Sequence, residues 1–424
     1  MTIQHIYQTL YRAGLLLALV APVPLAAQQQ PQARPADRFP RYVVQDLGTL
    51  GGPYSFSYGL NNAGVVSGGS ATATQNGDPS QAVVNAPQTA FLWDHGRLRN
   101  LGTLGGPDSE AAAVNLSNLV VVDSETASLS RQGEDVCGFG TNLQCLAATW
   151  KDGRFNALPL LPGGNNSYAL DMNDRGQVAG FSDTDVYDVD CTAAITGTPF
   201  RSTAGFRFQS VIWEPNGRVR QLAPLNGDTV ASALGINNKG QVVGYSGVCA
   251  NTSPPPYVST PHAVLWERDG TPIDLGSLGG PASGASAINE HGDVSGTAFT
   301  ADGSPQAYLW TPETRTLVKL QPPDGFPAAV NPCCKTINDR REIVGFMFDA
   351  DFNSRAFLWK DGVMVDLNEL IPKGSPWMLQ GAYGINASGQ ITGGGLINGE
   401  VHAFLTTPCH RHEGRGECCE DHDR

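Results

Sequence analysis

The sequence predicts an all-β fold: a seven-bladed β-propeller of four-stranded blades, closed by the N-terminal strand completing the last blade. Three observations carry that prediction. An apolar residue, an Asn, a turn, a Val or Ile and then Gly recur around Asn61, Asn115, Asn173, Asn237, Asn289, Asn338 and Asn386. The spacings of 54, 58, 64, 52, 49 and 48 mark one supersecondary unit stacked many times. An extra strand at the start, residues 46–50, matches a missing strand after Phe404 at the end.

The first strand of each unit ends at the Asn. Four residues earlier stand Ser57, Ala111, Ala169, Ala233, Ala285, Cys334 and Ala382. Small side chains there let another backbone approach closely, as the crowded innermost strand of a radial array requires. Cys334 is therefore read as a core residue. Three residues after the Asn, five units carry Gly (Gly64, Gly176, Gly240, Gly292 and Gly389), which accepts positive φ at the end of a tight hairpin turn. Asn118 tolerates the same conformation. Arg341 fits it poorly, so the sixth turn is expected to be altered.

The second strand carries Val66, Val120, Val178, Val242, Val294, Ile343 and Ile391. The third ends in Trp93, Trp150, Trp213, Trp266, Trp310 and Trp359, with Thr406 in the seventh place. Each Trp is expected to pack between blades rather than to hold a ligand. Short turns such as Asp152-Gly153 and Asp361-Gly362 lead to a fourth strand, for example residues 99–104. Complementary chain ends let a ring close and remove open sheet edges. A linear β-solenoid, the alternative array, needs no such match.

Residues 1–27 read as a secretory signal, with Arg12, an apolar stretch over 13–24, and Leu25-Ala26-Ala27 before Gln28. That stretch is too short and too Pro-rich to span a bilayer, and no other segment approaches 18 apolar residues. Residues 28–41 form a linker, 42–407 the repeats and 408–424 a Cys/His-rich tail. The expected location is periplasmic or extracellular. A net charge of −13 repels phosphate backbones, so no nucleic-acid partner is expected. Fifty Gly and 29 Pro with only 16% charged residues suit a turn-dense β protein, expected to be a monomer.

Segments such as residues 46–52 (DLGTLGG), 236–244 (INNKGQVVG) and His402-Ala403-Phe404 resemble the HAF repeat family of bacterial extracellular proteins. The resemblance covers about residues 42–407, although many copies depart from His-Ala-Phe, as Thr89-Ala90-Phe91 does. It implies export and a repeat fold, and no defined reaction.

In a propeller the second-to-third connections emerge on one face, and tight turns occupy the other. Asn-to-Trp separations of 32, 35, 40 and 29 in the first four units, against 21, 21 and 20 afterwards, put long loops on one half of one face. Insertions confined to one face of a repeat array mark the binding face. The loops hold Asp183, Asp185, Asp188 and Asp190, with Tyr187, Phe200, Arg201, Phe206 and Tyr257 as candidate contacts to a carbohydrate or protein. A solvated acidic loop with incidental aromatics is the plain alternative.

No catalytic site is assigned: Gly-x-Ser-x-Gly, His-Glu-x-x-His, phosphate-binding glycine loops and Asp boxes are missing. Asp349, Asp351 and Asn353 resemble the start of a calcium loop but lack its Gly and closing Glu. The tail residues Cys409, His410, His412, Cys418, Cys419 and His422 suit either a transition metal or oxidation. Nine Cys leave at least one outside intrachain pairs. Cys137 and Cys145 share a loop, and Cys191 and Cys249 are placed to bridge adjacent blades. The reading is an exported, non-catalytic binding or scaffold propeller that recognises an extracellular glycan, peptide or surface protein. The alternative is a propeller hydrolase or lyase acting on an extracellular polymer.

Overall fold

The computed structural model describes residues 35–72, 87–191, 205–249, 262–323, 327–331, 334–348, 351 and 353–409. The described residues are all-β, with short 3-10 turns and a helical pair at 190–191 besides strands. After β1 (Tyr42–Asp46), strands β2 (Ser55–Leu60), β3 (Val66–Ala71), β4 (Gln88–Asp94) and β5 (Arg97–Gly102) form the first sheet in sequence order. The second holds β6 (Gly105–Val114), β7 (Val120–Leu129), β8 (Leu143–Lys151) and β9 (Arg154–Ala157). The third holds β10 (Ser167–Met172), β11 (Val178–Tyr187), β12 (Phe206–Trp213) and β13 (Val219–Gln221). The fourth holds β14 (Val230–Ile236), β15 (Val242–Gly247), β16 (His262–Trp266) and β17 (Pro272–Asp274).

Next come β18 (Gly279–Ile288), β19 (Val294–Thr300), β20 (Pro305–Trp310) and β21 (Leu317–Lys319). They join β22 (Ala328–Ala329), β23 (Ile343–Phe348), β24 (Ser354–Lys360) and β25 (Val363–Asp366) through one parallel pairing, Gln306 with Ala328, so these two sets count as one eight-stranded sheet. Finally β26 (Trp377–Ile385), β27 (Ile391–Ile397) and β28 (Glu400–Pro408) are completed by β1, antiparallel to β28 from Tyr42–Pro408 to Asp46–Phe404. The strand that fills the gap is residues 42–46 and not the expected 46–50: pairing stops at Asp46, and Gly48 turns the chain away at φ 73°.

Each repeat Asn is nearly fully buried and does two jobs. Its Oδ1 accepts the backbone N–H groups two and four residues on, at 2.9–3.1 Å, which fixes the hairpin turn. Its Nδ2 donates to the backbone carbonyl of the next unit's Asn. The donations run Asn61 to Asn115, to Asn173, to Asn237, to Asn289, to Asn338, to Asn386, and from Asn386 back to Asn61, at 3.0–3.5 Å. The cycle has no free end.

The apolar core is distributed between sheets in the same cyclic way. Ala90, Leu92 and Val120 with Trp150 fill the first seam, and Val121, Val178 and Trp213 the second. Similar clusters follow, and the last joins Leu47, Ala403 and Leu405 to Leu60, Val66 and Trp93. The repeat Trp side chains are at most 8% exposed, as inter-sheet packing demands. Val242 and its counterparts are likewise buried, being 0% exposed in six units and 1% at Val178.

Two expectations need correction in the sixth unit. Arg341 adopts φ 57°, close to the 81° of Gly240, and the turn keeps its bonds: Arg341 N–H donates to the Asn338 carbonyl at 3.1 Å. The strain of a bulky residue at positive φ is offset by a bidentate ion pair. Arg341 Nε and Nη2 reach the buried Asp293 carboxylate at 2.8 and 2.9 Å. The inner strand is the other correction. Only Ala328 and Ala329 pair as strand, and Cys334 sits at φ 82°, outside any strand. It is buried, as expected of a core residue, but disulfide-bonded. Pro327, just before this strand, has no N–H to donate to the ladder, which accounts for where the pairing starts.

Candidate functional site on the long-loop face

β7 and β11 are ten residues long and extend past their inner neighbours, whereas β15 stops at six. Their ends do not wave free. Cys137 and Cys145 form one disulfide, with Cα atoms 5.3 Å apart. Cys191 and Cys249 form another, 4.7 Å apart, which ties the third sheet's loop to the fourth's. Around them Val136, Tyr168, Leu170, Phe181, Phe208 and Leu234 make a cluster separate from the seven inter-sheet seams. Tyr168 stacks on Phe181 at 5.9 Å, and Phe181 meets Phe208 at 5.5 Å. The long-loop ends of sheets two to four thus share a small core of their own.

A buried polar network sits beside that core. Arg131 Nη2 reaches Glu134 at 3.2 Å, Asp183 at 3.1 Å and the Thr184 carbonyl at 3.0 Å, while Nη1 donates to the Gly163 carbonyl at 3.2 Å. Its guanidinium lies 3.4 Å over the Phe206 ring. Asn166 donates to Glu134 at 2.6 Å and to Ser130 at 3.0 Å, and the Asn165 and Asn166 N–H groups cap Asp183 at 2.7 and 2.9 Å. Burial raises the pKa of both Glu134 and Asp183, with mutual repulsion adding to it for Glu134 and Arg131 opposing in both. One arginine serves two carboxyls, so a proton is retained between them more readily than in water. The group is a joint between sheets two and three.

More carboxyls line one face of the second sheet. Glu110 stands opposite Asp123 across β6 and β7. Each is engaged from a neighbouring sheet: Glu110 accepts from the Tyr168 hydroxyl and from Gln88 Nε2 at 3.3 Å, and Asp123 from Ala169 N–H at 2.8 Å. Asp108 accepts from Gln88 N–H at 2.7 Å. Glu125 is pushed up to about 7, chiefly by burial, with its hydrogen bond to the Thr141 hydroxyl opposing and Asp108 and Asp135 adding to the rise. Asp108, Glu110 and Asp123 thus knit sheet two to its neighbours, whereas Glu125 holds its own sheet's loop.

Of the residues singled out in the sequence, Tyr187 is 55% exposed at the end of β11, paired in register with Phe206 and 5.7 Å from its ring, edge to face. Phe206 is only 6% exposed, because Arg131 and Tyr187 cover it, so its ring supports the surface rather than forming it. Asp185 and Asp190 are exposed, and Asp188 pairs with Arg207 at 2.8 Å, which holds its carboxyl below the usual range. Phe200, Arg201 and Tyr257 lie outside the described residues, as do Asp349 and the tail beyond Cys409. Asp351 and Asn353 are exposed.

Leu129, Val186 and Val189, at 78%, 47% and 66% exposed, were not foreseen; an apolar residue beside loop acids is a weak sequence signal. Arg131 and the Asn165-Asn166 pair were also missed, since a buried joint between loops has no motif.

Among the described residues, one trio of potential metal ligands lies close together: Asp188, Cys191 and Cys249. Both its sulfurs are in the disulfide, so it is not a metal centre. Cys409 is disulfide-bonded too, which removes its thiolate from any tail metal set. Between the inner strands, Tyr58 stacks with Tyr383 at 6.2 Å, and Tyr58, Leu60, Asp171 and Lys335 are among the residues lining a void of about 10 Å³, room for one water. No described helix is long and apolar enough to cross a membrane.

No protein-family profile matches the chain, and no curated protein does either. Among solved structures it is similar to the β-propeller domain of the trilobed protease from Pyrococcus furiosus, with a TM-score of 0.47 and 10% identity over 85% of this chain and 96% of that one. It is similar to a Mycobacterium tuberculosis puromycin-hydrolyzing peptidase at 0.49 and 12%, over 94% of this chain and 57% of that one. It is also similar to YCF48 bound to D1 peptide, at 0.45 and 12%, over 88% and 98%. At such scores and identities none of them bears on what this chain binds.

Proposed function

We propose that the protein is an exported, non-catalytic seven-bladed β-propeller of the HAF repeat type, which binds an extracellular glycan, peptide or surface protein through the long-loop face. Support for seven blades comes from the seven inter-sheet seams and the asparagine cycle. The two loop disulfides support export, since such bonds persist in oxidising compartments.

The observation that carries the binding role is the extra core under the long loops. Loops that drift without function need no core, no bridging disulfide and no buried ionic joint. Here all three hold one face rigid while the opposite face keeps only tight turns. Rigid presentation lowers the entropy lost on binding. Asp108, Glu110 and Asp123 of sheet two accept hydrogen bonds from neighbouring sheets, which disfavours the hydrolase reading.

A glycan and peptide array probed with the protein, followed by variants, tests the proposal. Tyr187→Ser is expected to abolish the signal, and Asp152→Ser and Asp361→Ser on the turn face to leave it intact. Loss in the turn variants with retention in Tyr187→Ser overturns the assignment of the face. Turnover of an arrayed polymer overturns the non-catalytic reading.

A further inference from the structure

We infer that the joint between sheets two and three is a pH-operated clasp: it is closed while Glu134 carries a proton and loosens when Glu134 ionises, freeing the β7–β8 connection from sheet three while the ring stays intact. The device is built into the fold and holds whether or not the long-loop face binds a partner.

The count of donors carries the inference. Arg131 Nη2 has two protons but faces three acceptors: Glu134 Oε1 at 3.2 Å, Asp183 Oδ2 at 3.1 Å and the Thr184 carbonyl at 3.0 Å. Nη1 is turned away to the Gly163 carbonyl, and the buried Nε has no partner. Neither carboxyl therefore receives the bidentate grip that makes a buried ion pair worthwhile. Both carboxyls are 0% exposed, and Arg131 is the one cation among the described residues within ion-pair distance of either. With both acids ionised, the joint holds one negative charge in excess, out of water.

Asp183 is the better served of the two. Its Oδ1 accepts the Asn165 and Asn166 N–H groups at 2.7 and 2.9 Å, and its Oδ2 accepts from Asn166 Nδ2 at 3.3 Å. Glu134 Oε2 meets side chains only: Asn166 Nδ2 at 2.6 Å, Asn165 Nδ2 at 3.4 Å and the Ser130 hydroxyl at 3.2 Å. A protonated Oε2 can donate to the Ser130 oxygen, whose own proton then turns to Asn166 Oδ1, also at 3.2 Å. The proton accordingly belongs on Glu134. The charged groups that face it are Asp183, on β11, and Arg131, in its own turn; the segment entering β10 brings uncharged amides. Burial raises the Glu134 pKa, Asp183 adds to the rise and Arg131 opposes it. A raised pKa in the closed joint means that closure is favoured most below the ordinary carboxylate value of 4.5. That advantage is lost as pH rises through the raised value.

The test is amide hydrogen exchange read by mass spectrometry from about pH 5 to 8, with labelling times corrected for the intrinsic pH dependence of exchange. Peptides over residues 130–136 and 163–168 report the joint, and one over 237–247 reports the ring. Protection of the joint is expected to fall as pH rises, by at most about tenfold per unit, the slope of one proton. The ring peptide should not follow it. Glu134→Gln keeps the neutral acid's shape and should remove the slope. The slope decides rather than the level, so a variant that is looser at every pH but flat still supports the clasp. A slope that persists in Glu134→Gln places the proton elsewhere and overturns it. So does a flat profile in the parent, or a ring peptide that loses protection in step with the joint.

Discussion

Asn237→Ala isolates what the asparagine cycle contributes. The side chain is 2% exposed and makes four hydrogen bonds: Oδ1 accepts from Lys239 N–H at 3.1 Å and Gln241 N–H at 3.0 Å, and Nδ2 donates to the Asn289 carbonyl at 3.1 Å and Gln241 Oε1 at 2.9 Å. Truncation leaves these partners behind. Lys239 is exposed, so water can serve its N–H. The Gln241 N–H is left without a partner, at about 1–3 kcal/mol, and the Asn289 carbonyl keeps only the Gly292 N–H, a loss of about 1 kcal/mol. The expected destabilisation is about 3 kcal/mol, read as a shift in urea midpoint followed by tryptophan fluorescence. Asn238→Ala, one residue on, removes bonds of Asn238 to Asp174 at the surface and should cost less than about 1 kcal/mol. Asn237→Asp keeps the oxygen that accepts both turn N–H groups but aims a buried carboxylate at the Asn289 carbonyl, so it should be no better than Ala. Should Asn237→Ala melt within 1 kcal/mol of the parent, or no lower than Asn238→Ala, the cycle is ornamental.

Four further outcomes follow from the same structure. Deleting residues through Pro53 removes β1 and its five pairings with β28; the exposed edge should cause aggregation or a large fall in melting temperature, and a melt within two degrees of the parent would refute closure by β1. Val242→Asp buries an unpaired charge at a 0% exposed site and should cost several kcal/mol, whereas Lys239→Asp should be near neutral; equal urea midpoints would undo the alignment of the units. Glu125 holds its proton more tightly folded than unfolded, so its stabilising contribution is complete below pH 4.5 and is lost as pH rises through about 7. That amounts to roughly 3 kcal/mol for this group, and Glu125→Gln should flatten the urea-midpoint profile between pH 5 and 8; an unchanged slope refutes the assignment. Arg341→Gly gains about 1 kcal/mol by relieving positive φ but strips the ion pair from buried Asp293, for a net loss of about 2 kcal/mol. Arg341→Gly/Asp293→Gln restores the pattern of Gln241 and Gly240 and should recover the parental midpoint.

How much of this was legible depends on how each residue is constrained. The strands, the Trp packing and the end-to-end match are set by local periodicity and by positions that recur, so seven copies average away the noise in each. The Cys191–Cys249 bridge was readable because equivalent loops of adjacent units had to lie side by side. Arg341 misled because its turn was judged alone; the compensating Asp293 belongs to the preceding unit, 48 residues away. The second role of each Asn was also hidden. Asn at the head of a turn is sufficiently explained by its side-chain oxygen accepting two N–H groups of that turn, and nothing in one unit reveals that the amide nitrogen faces the next.

The Arg131 joint was unreadable for a different reason. It occurs once, so repetition gives no help, and its members come from loops of two units whose lengths match no other. This contrast bears on how the chain divides its work. The turn face carries the asparagine cycle, where each side chain serves its own hairpin and its neighbour's backbone, so a change in one unit disturbs two. The seams beneath are equally constrained, because each holds residues from both adjoining sheets. The long-loop ends enter neither the cycle nor most seams. They are free to lengthen provided they supply their own core, and in sheets two to four they do so with Cys137, Cys145, Cys191 and Cys249. Differences between the units therefore concentrate on the long-loop face, while the opposite face stays fixed by closure. For the same physical reason the fold is easy to read in this sequence, and the long-loop face, built from residues that never repeat, is not.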